Sequence, residues 1–145
     1  MTSKVGYLIK NMSLFQKLGW AYAAMFFVTV ALGYIPGFTD DQGQLFGLFS
    51  IQFHDDLLHL ASGIWAAWAA WHSTRAIKFY FRTFGIMYSL DGLLGLLTGY
   101  GYLDGGIFFH MAGSHDLVTR VAANLPHILI GGTAVLIGFV LSRRS

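Results

Sequence analysis

Two four-residue segments carry most of the chemical potential of this chain: Asp56-Leu57-Leu58-His59 and Asn124-Leu125-Pro126-His127. In each, a side chain with a carbonyl or carboxylate oxygen stands three residues before an imidazole. On a helix that spacing puts both groups on one face. His54 and Asp55 enrich the first segment. If the two segments face each other, His59 and His127 converge at one depth, roughly 5–8 Å inside the helix end at 1.5 Å rise per residue.

Three readings of this arrangement stay open. Asp56 and Asn124 suit helix N-caps, which would leave the histidines to bond loop backbone or headgroups. His59 and His127 suit axial ligation of a haem, or one of them a chlorophyll-type pigment, with Gly63 and Gly131 leaving room for a flat ring. Asp56, His59 and His127 suit a divalent metal, with help from Asp55 or His54.

Asp91 stands alone near the middle of an apolar stretch. A carboxylate there costs at least a few kcal/mol unless paired or protonated. It is expected to be neutral or bonded to a hydroxyl such as Ser89, Thr29 or Ser62. It could serve as a proton or ligand site, as interhelical glue, or as a contact with a partner subunit. Trp65, Trp68 and Trp71 form a stripe that suits packing against lipid or another membrane protein. Asp55, His59 and Ser62 imitate a hydrolytic triad, but a Ser one turn deeper than its His has neither exposure nor an oxyanion hole. No catalytic constellation is recognised, so the chain is not expected to be an enzyme.

The elements that must position these groups follow from composition. The 145 residues are 55% apolar and 11% charged. Soluble domains carry about 25% charged residues, and one this apolar would expose large adhesive patches. The absence of cysteine removes disulfides, thiolate metal sites and cysteine nucleophiles. A net charge of +2 is too small to argue for nucleic acid. Four stretches of about 20 apolar residues predict transmembrane helices, over about 18–35, 55–71, 80–101 and 122–141.

Of the nine basic residues, Lys4, Lys10 and Lys17 precede the first span, Arg75, Lys78 and Arg82 fall around the second connection, and Arg143 and Arg144 follow the last. Only Arg120 lies on the other side, with six of the seven acids: Asp40, Asp41, Asp55, Asp56, Asp104 and Asp116. Basic residues collect on the cytoplasmic face, so both termini are expected there, in a bacterial inner membrane, since outer-membrane proteins are typically barrels. Val5, Leu8, Ile9, Met12 and Phe15 recur at helical spacing among lysines. They predict an interfacial amphipathic helix over about 1–17, ahead of a retained first span rather than a cleaved signal.

An offset of 68 residues aligns Gly33-Tyr34 with Gly101-Tyr102, Gly37 with Gly105, Leu57 with Leu125, His59 with His127 and Gly63 with Gly131. The unit is a helix, a loop and a helix, used twice. Two copies with an even number of spans insert in the same direction, which predicts a pseudo-twofold axis along the membrane normal.

Leu45-Phe46-Gly47-Leu48-Phe49, Asp56-Leu57-Leu58-His59-Leu60 and Gly63 resemble the first half of the bacterial membrane family called domain of unknown function 4383. Asn124-Leu125-Pro126-His127 with Gly131 is similar to that family's second Asn-x-x-His copy, and Phe84-Gly85-Ile86-Met87-Tyr88 to its third helix. The resemblance covers most of residues 18–141. Asp56 departs from it by standing where the family usually has Asn, and the loop bearing Phe108, Phe109, His110 and His115 is richer than the family's. The resemblance implies a four-helix membrane fold and no particular activity.

The expectation is therefore an all-α four-helix membrane bundle that packs as an accessory or structural subunit with a membrane-protein partner or itself. A haem- or chlorophyll-binding protein using His59 and His127 is the alternative, and an oligomeric transporter using Asp91 a third.

Overall fold

A computed structural model describes residues 11–47, 49–50, 53–109 and 116–143. Among the described residues the fold is all-helical apart from one short hairpin. Four long helices, α1 (Leu14–Gly33), α2 (Phe53–His72), α3 (Thr74–Thr98) and α5 (Leu117–Val135), are joined by the hairpin β1–β2 (Gln44–Leu45, Phe49–Ser50) and a single turn, α4 (Gly106–Phe109). The last helix continues through a π-helical turn, Leu136–Val140, and a 3₁₀ turn, Leu141–Arg143. By length and composition, Leu14–Gly33 and Leu117–Arg143 can cross a membrane.

Polar caps set the helix starts, and they set them earlier than apolar runs suggest. Ser13 and Gln16 form a capping box: the Ser13 hydroxyl accepts from the Gln16 amide and the Gln16 side chain accepts from the Ser13 amide. The first long helix therefore starts at Leu14 instead of about 18, and residues 14–17 are its first turn rather than the end of a separate interfacial helix. Residues 1–10 of that expected segment lie outside the described residues. Ser73 accepts from the Ala76 amide, so α3 begins one residue after Ser73 and carries Arg75, Lys78 and Arg82 on its opening turns instead of in a loop. Asp116 accepts from the Thr119 amide, which starts α5 at Leu117 rather than about 122.

The closest packing joins α1 to α2 and α3 to α5, giving two helical hairpins side by side. Rings of Tyr22, Phe26, Tyr80, Phe81, Phe84 and Tyr88 fill the core with Ala66, Ala69 and Ala70. Their centroids lie 4.2–6.5 Å apart, mostly edge to face, the arrangement that ring quadrupoles favour. Trp65 belongs to this core, 5.0 Å from Tyr80, whereas Trp68 points outward and stacks on His72. The tryptophan stripe thus splits between two surfaces of α2.

Glycines bring α3 against α5. A Cβ on Gly85 would lie 2.6 Å from the Val135 amide nitrogen, on Gly131 2.5 Å from that of Ser89, and on Gly138 2.8 Å from that of Arg82. At the far end of this seam, Arg82 donates from Nε to the Gly138 carbonyl at 2.8 Å and from its terminal nitrogen to the Ser142 hydroxyl at 3.0 Å. The π-helical turn alters the usual backbone pairing, and a guanidinium fastens it. At the same end, Gln16 donates to the Ala70 carbonyl and Thr74 to Ser13.

Candidate functional site

His59 and His127 do converge. His59 sits in the second turn of α2 and His127 in the third turn of α5, with ring centroids 6.5 Å apart and planes at 86°. Asp91 joins them from α3. Its Oδ2 lies 2.6 Å from His127 Nδ1, and the residue is 1% exposed. A carboxylate facing Nδ1 orients the ring and leaves Nε2 for whatever else the imidazole does.

The other carboxylate oxygen holds a loop. Asp91 is seven residues before the end of α3, about 10 Å along its axis, yet the Tyr102 and Leu103 amides donate to Oδ1 at 2.6 and 2.8 Å. The chain reaches this depth by folding back after α3. Gly99 ends the helix with φ +95°, a conformation that favours glycine. Gly101 passes so close that a Cβ there would lie 2.6 Å from Asp91 Oδ1. Tyr102 then donates its hydroxyl to the Met87 carbonyl at 2.8 Å. Burial, and then the Asp91 carboxylate, push its phenol above the ordinary value. Asp91 is thus not partnered by a hydroxyl as expected. Thr29 donates to the Met25 carbonyl, Ser62 contacts Tyr88, and the Ser89 hydroxyl is buried without a partner.

Around this pair the cluster continues. Tyr88 lies over His127 with centroids 5.0 Å apart, and its hydroxyl is 3.4 Å from Ser62 Oγ. Phe26 stacks on His59 at 5.7 Å. His59 Nδ1 is buried and has no partner. The offset that pairs His59 with His127 pairs Ala23 with Asp91, so the first imidazole lacks the carboxylate that braces the second.

The helix-cap reading of Asp56 and Asn124 is overturned. Asn124 lies two turns inside α5, where its side-chain amide donates to the Arg120 carbonyl at 2.9 Å and packs on the Cα of Gly95. Asp56 accepts from the Tyr34 hydroxyl at 2.6 Å. Nor do the three proposed metal ligands Asp56, His59 and His127 gather: among the described residues no group of three His or Asp side chains is placed to hold one ion.

The haem reading depends on the spacing of the two imidazoles and on the room beside them. Two imidazoles that share one metal ion, with each donor nitrogen about 2.0–2.1 Å from it, would have ring centres roughly 6 Å apart; the 6.5 Å and 86° observed are also those of an ordinary edge-to-face contact. The glycines that were to leave room for a macrocycle are filled, Gly63 by Phe26 and Phe27, Gly131 by Ser89 and the Tyr88 backbone. His110 and His115 lie outside the described residues.

Sequence reasoning missed Tyr88, Phe26 and the two loop amides. The Gly99-Tyr100-Gly101-Tyr102 run after an apolar span was the available signal for a chain that turns back on its own helix. No family model, characterised protein or solved structure matches this chain.

Proposed function

We propose that the chain is a four-span protein of the bacterial inner membrane, with both ends cytoplasmic. It acts without catalysis of its own, as a structural or accessory subunit of a larger membrane assembly. One observation carries this reading: all four long helices turn large apolar side chains outward. Phe27 and Val28 do so on α1, Ile64 and Trp68 on α2, Ile86, Leu90 and Leu97 on α3, and Leu125 and Leu129 on α5, followed by Leu136 in the π-helical turn. Water would penalise such a perimeter, and lipid or a partner's helices would not. Helices α2 and α3 are less hydropathic, with Asp55 and Asp56 at the start of α2 and Arg75, Lys78 and Arg82 on the opening turns of α3 besides the buried Asp91, while their lengths of 20 and 25 residues suffice to span. The resemblance to domain of unknown function 4383 supports the same architecture on its short motifs.

The polar cluster fits a structural role. Asp91 has both oxygens engaged, so a transport mechanism finds no open carboxylate there. Trp71, 74% exposed at the end of α2, and Trp68 one turn before it form an aromatic surface suited to another membrane subunit. Chemical crosslinking in native membranes followed by mild extraction is expected to yield a species larger than the 16.0 kDa chain. Migration as a lone chain with no crosslinked partner or copy contradicts the proposal.

A second reading, ligation of a haem or pigment by His59 and His127, is supported by the 6.5 Å separation and opposed by the filled glycines. It requires Phe26 and Tyr88 to move. Its test is an absorption spectrum of protein extracted gently from its own membrane. Bands lost in both His59→Ala and His127→Ala but kept in His72→Ala support it, and a spectrum without visible bands removes it.

A further inference from the structure

A second site lies beside the hairpin, apart from the histidine cluster. A cavity of about 180 Å³ opens between the C-terminal end of α1, the first turn of α2 and the segment Thr39–Leu45, lined by Gly33, Tyr34, Thr39, Gly43, Phe53 and Asp56 among others. The segment holds its shape through Asp40, which accepts from the Gln42 and Gln44 amides at 2.9 and 2.8 Å, and through the Asp40 amide, which donates to the Gln44 carbonyl.

Asp56 is 9% exposed; its Oδ2 accepts from the Tyr34 hydroxyl and its Oδ1 is buried with no partner. One neutral donor does not compensate a buried carboxylate. Among the described residues no Lys, Arg or His lines the cavity, and the neighbouring His59 gives Asp56 Oδ1 no hydrogen bond, so a bound cation would supply the missing partner. The negative end of the α1 dipole and the positive end of α2 both lie on this cavity. A divalent metal needs six or more oxygen ligands or a well-formed shell, which one carboxylate does not supply. The walls are instead aromatic, Tyr34 and Phe53, and aromatic faces attract organic cations.

We propose that this cavity binds a small ammonium group, held by Asp56 and walled by Tyr34 and Phe53. The group belongs either to a free amine or to the ethanolamine headgroup of a lipid, and in the four-span reading the cavity sits at headgroup level on the outer side.

The test is calorimetric titration of the purified full chain with ethanolamine, at constant ionic strength set by sodium chloride. Saturable binding is expected, weakened about 10-fold or more in Asp56→Asn, as loss of a charge-assisted hydrogen bond implies, and several-fold in Phe53→Leu. No saturation, or equal binding by Asp56→Asn that keeps its helical circular dichroism, overturns the proposal. If Asp56→Asn does not fold, Phe53→Leu decides, and unchanged binding by it overturns an aromatic-walled site. Bilayer discs separate the two sources. A higher melting temperature in phosphatidylethanolamine than in phosphatidylglycerol, absent in Asp56→Asn, identifies the lipid headgroup; ethanolamine binding without that difference identifies a free amine. A failure here leaves the membrane topology untouched, since that is read by labelling rather than by binding.

Discussion

Asp91→Ala is expected to be the most damaging single substitution in the chain. It removes the acceptor of the Tyr102 and Leu103 amides and of His127 Nδ1 at once. Each of these buried donors left without a partner costs about 1–3 kcal/mol, and three lose theirs together. Against a typical total stability of about 5–15 kcal/mol, that is enough to unfold much of the population or to free the loop after α3. Asp91→Asn keeps an oxygen for the two amides and gives up the charge, so its loss should be clearly smaller. His127→Ala leaves Oδ1 and the loop in place and should also cost less. Because the two residues share one bond, the double variant should cost less than the sum of the singles. Thermal melts in one detergent, followed by circular dichroism, check the order. A melting temperature for Asp91→Ala equal to that of wild type contradicts the assigned role.

The second large effect is expected at Gly131. Its missing side chain faces the backbone of Ser89 and Tyr88, at 2.5 and 2.9 Å from where a Cβ would lie. Backbone cannot rotate away as a side chain can, so Gly131→Val must push α5 off α3. Overpacking costs about 1–3 kcal/mol where side chains can yield, and here the cost should exceed that range. The displacement also stretches the His127–Asp91 bond one turn away, so this variant should release the same loop. Gly132 supplies the control: nothing lies within 4 Å of its Cβ position, and Gly132→Ala should be neutral or more stable by roughly 0.5–1 kcal/mol through lower backbone entropy. Equal melting of Gly131→Val and Gly132→Ala would show that α3 and α5 do not meet at these glycines.

The all-helical frame was legible because apolar runs act over whole segments. The helix boundaries were less so, since Ser13, Ser73 and Asp116 extend each helix into polar sequence that a hydropathy window treats as loop. The convergence of His59 and His127 was readable from their shared offset. The partner of Asp91 was not, because the expected partners were hydroxyls on neighbouring turns, while His127 was expected to bond loop backbone or headgroups or to act as a ligand. The decisive feature was the return of residues 100–103 into the bundle, which depends on two glycines and on contacts that spacing along one helix does not encode. Tyr34 was missed as the partner of Asp56 for a similar reason: the bond spans 22 residues and two helix ends. Gly63 and Gly131, expected to leave room for a flat ring, are instead met closely by Phe26 and Phe27 and by the Ser89 and Tyr88 backbone.

The four proposed membrane crossings can be tested directly, because the sequence has no native cysteine. Single cysteines at Asn11, Asp41, His72 and Leu117, all exposed, can be labelled in intact cells with a maleimide that does not cross the inner membrane. Four spans with cytoplasmic ends predict rapid labelling at Asp41→Cys and Leu117→Cys, and labelling at Asn11→Cys and His72→Cys only after permeabilisation. Labelling of His72→Cys from outside, or protection of Asp41→Cys, contradicts it.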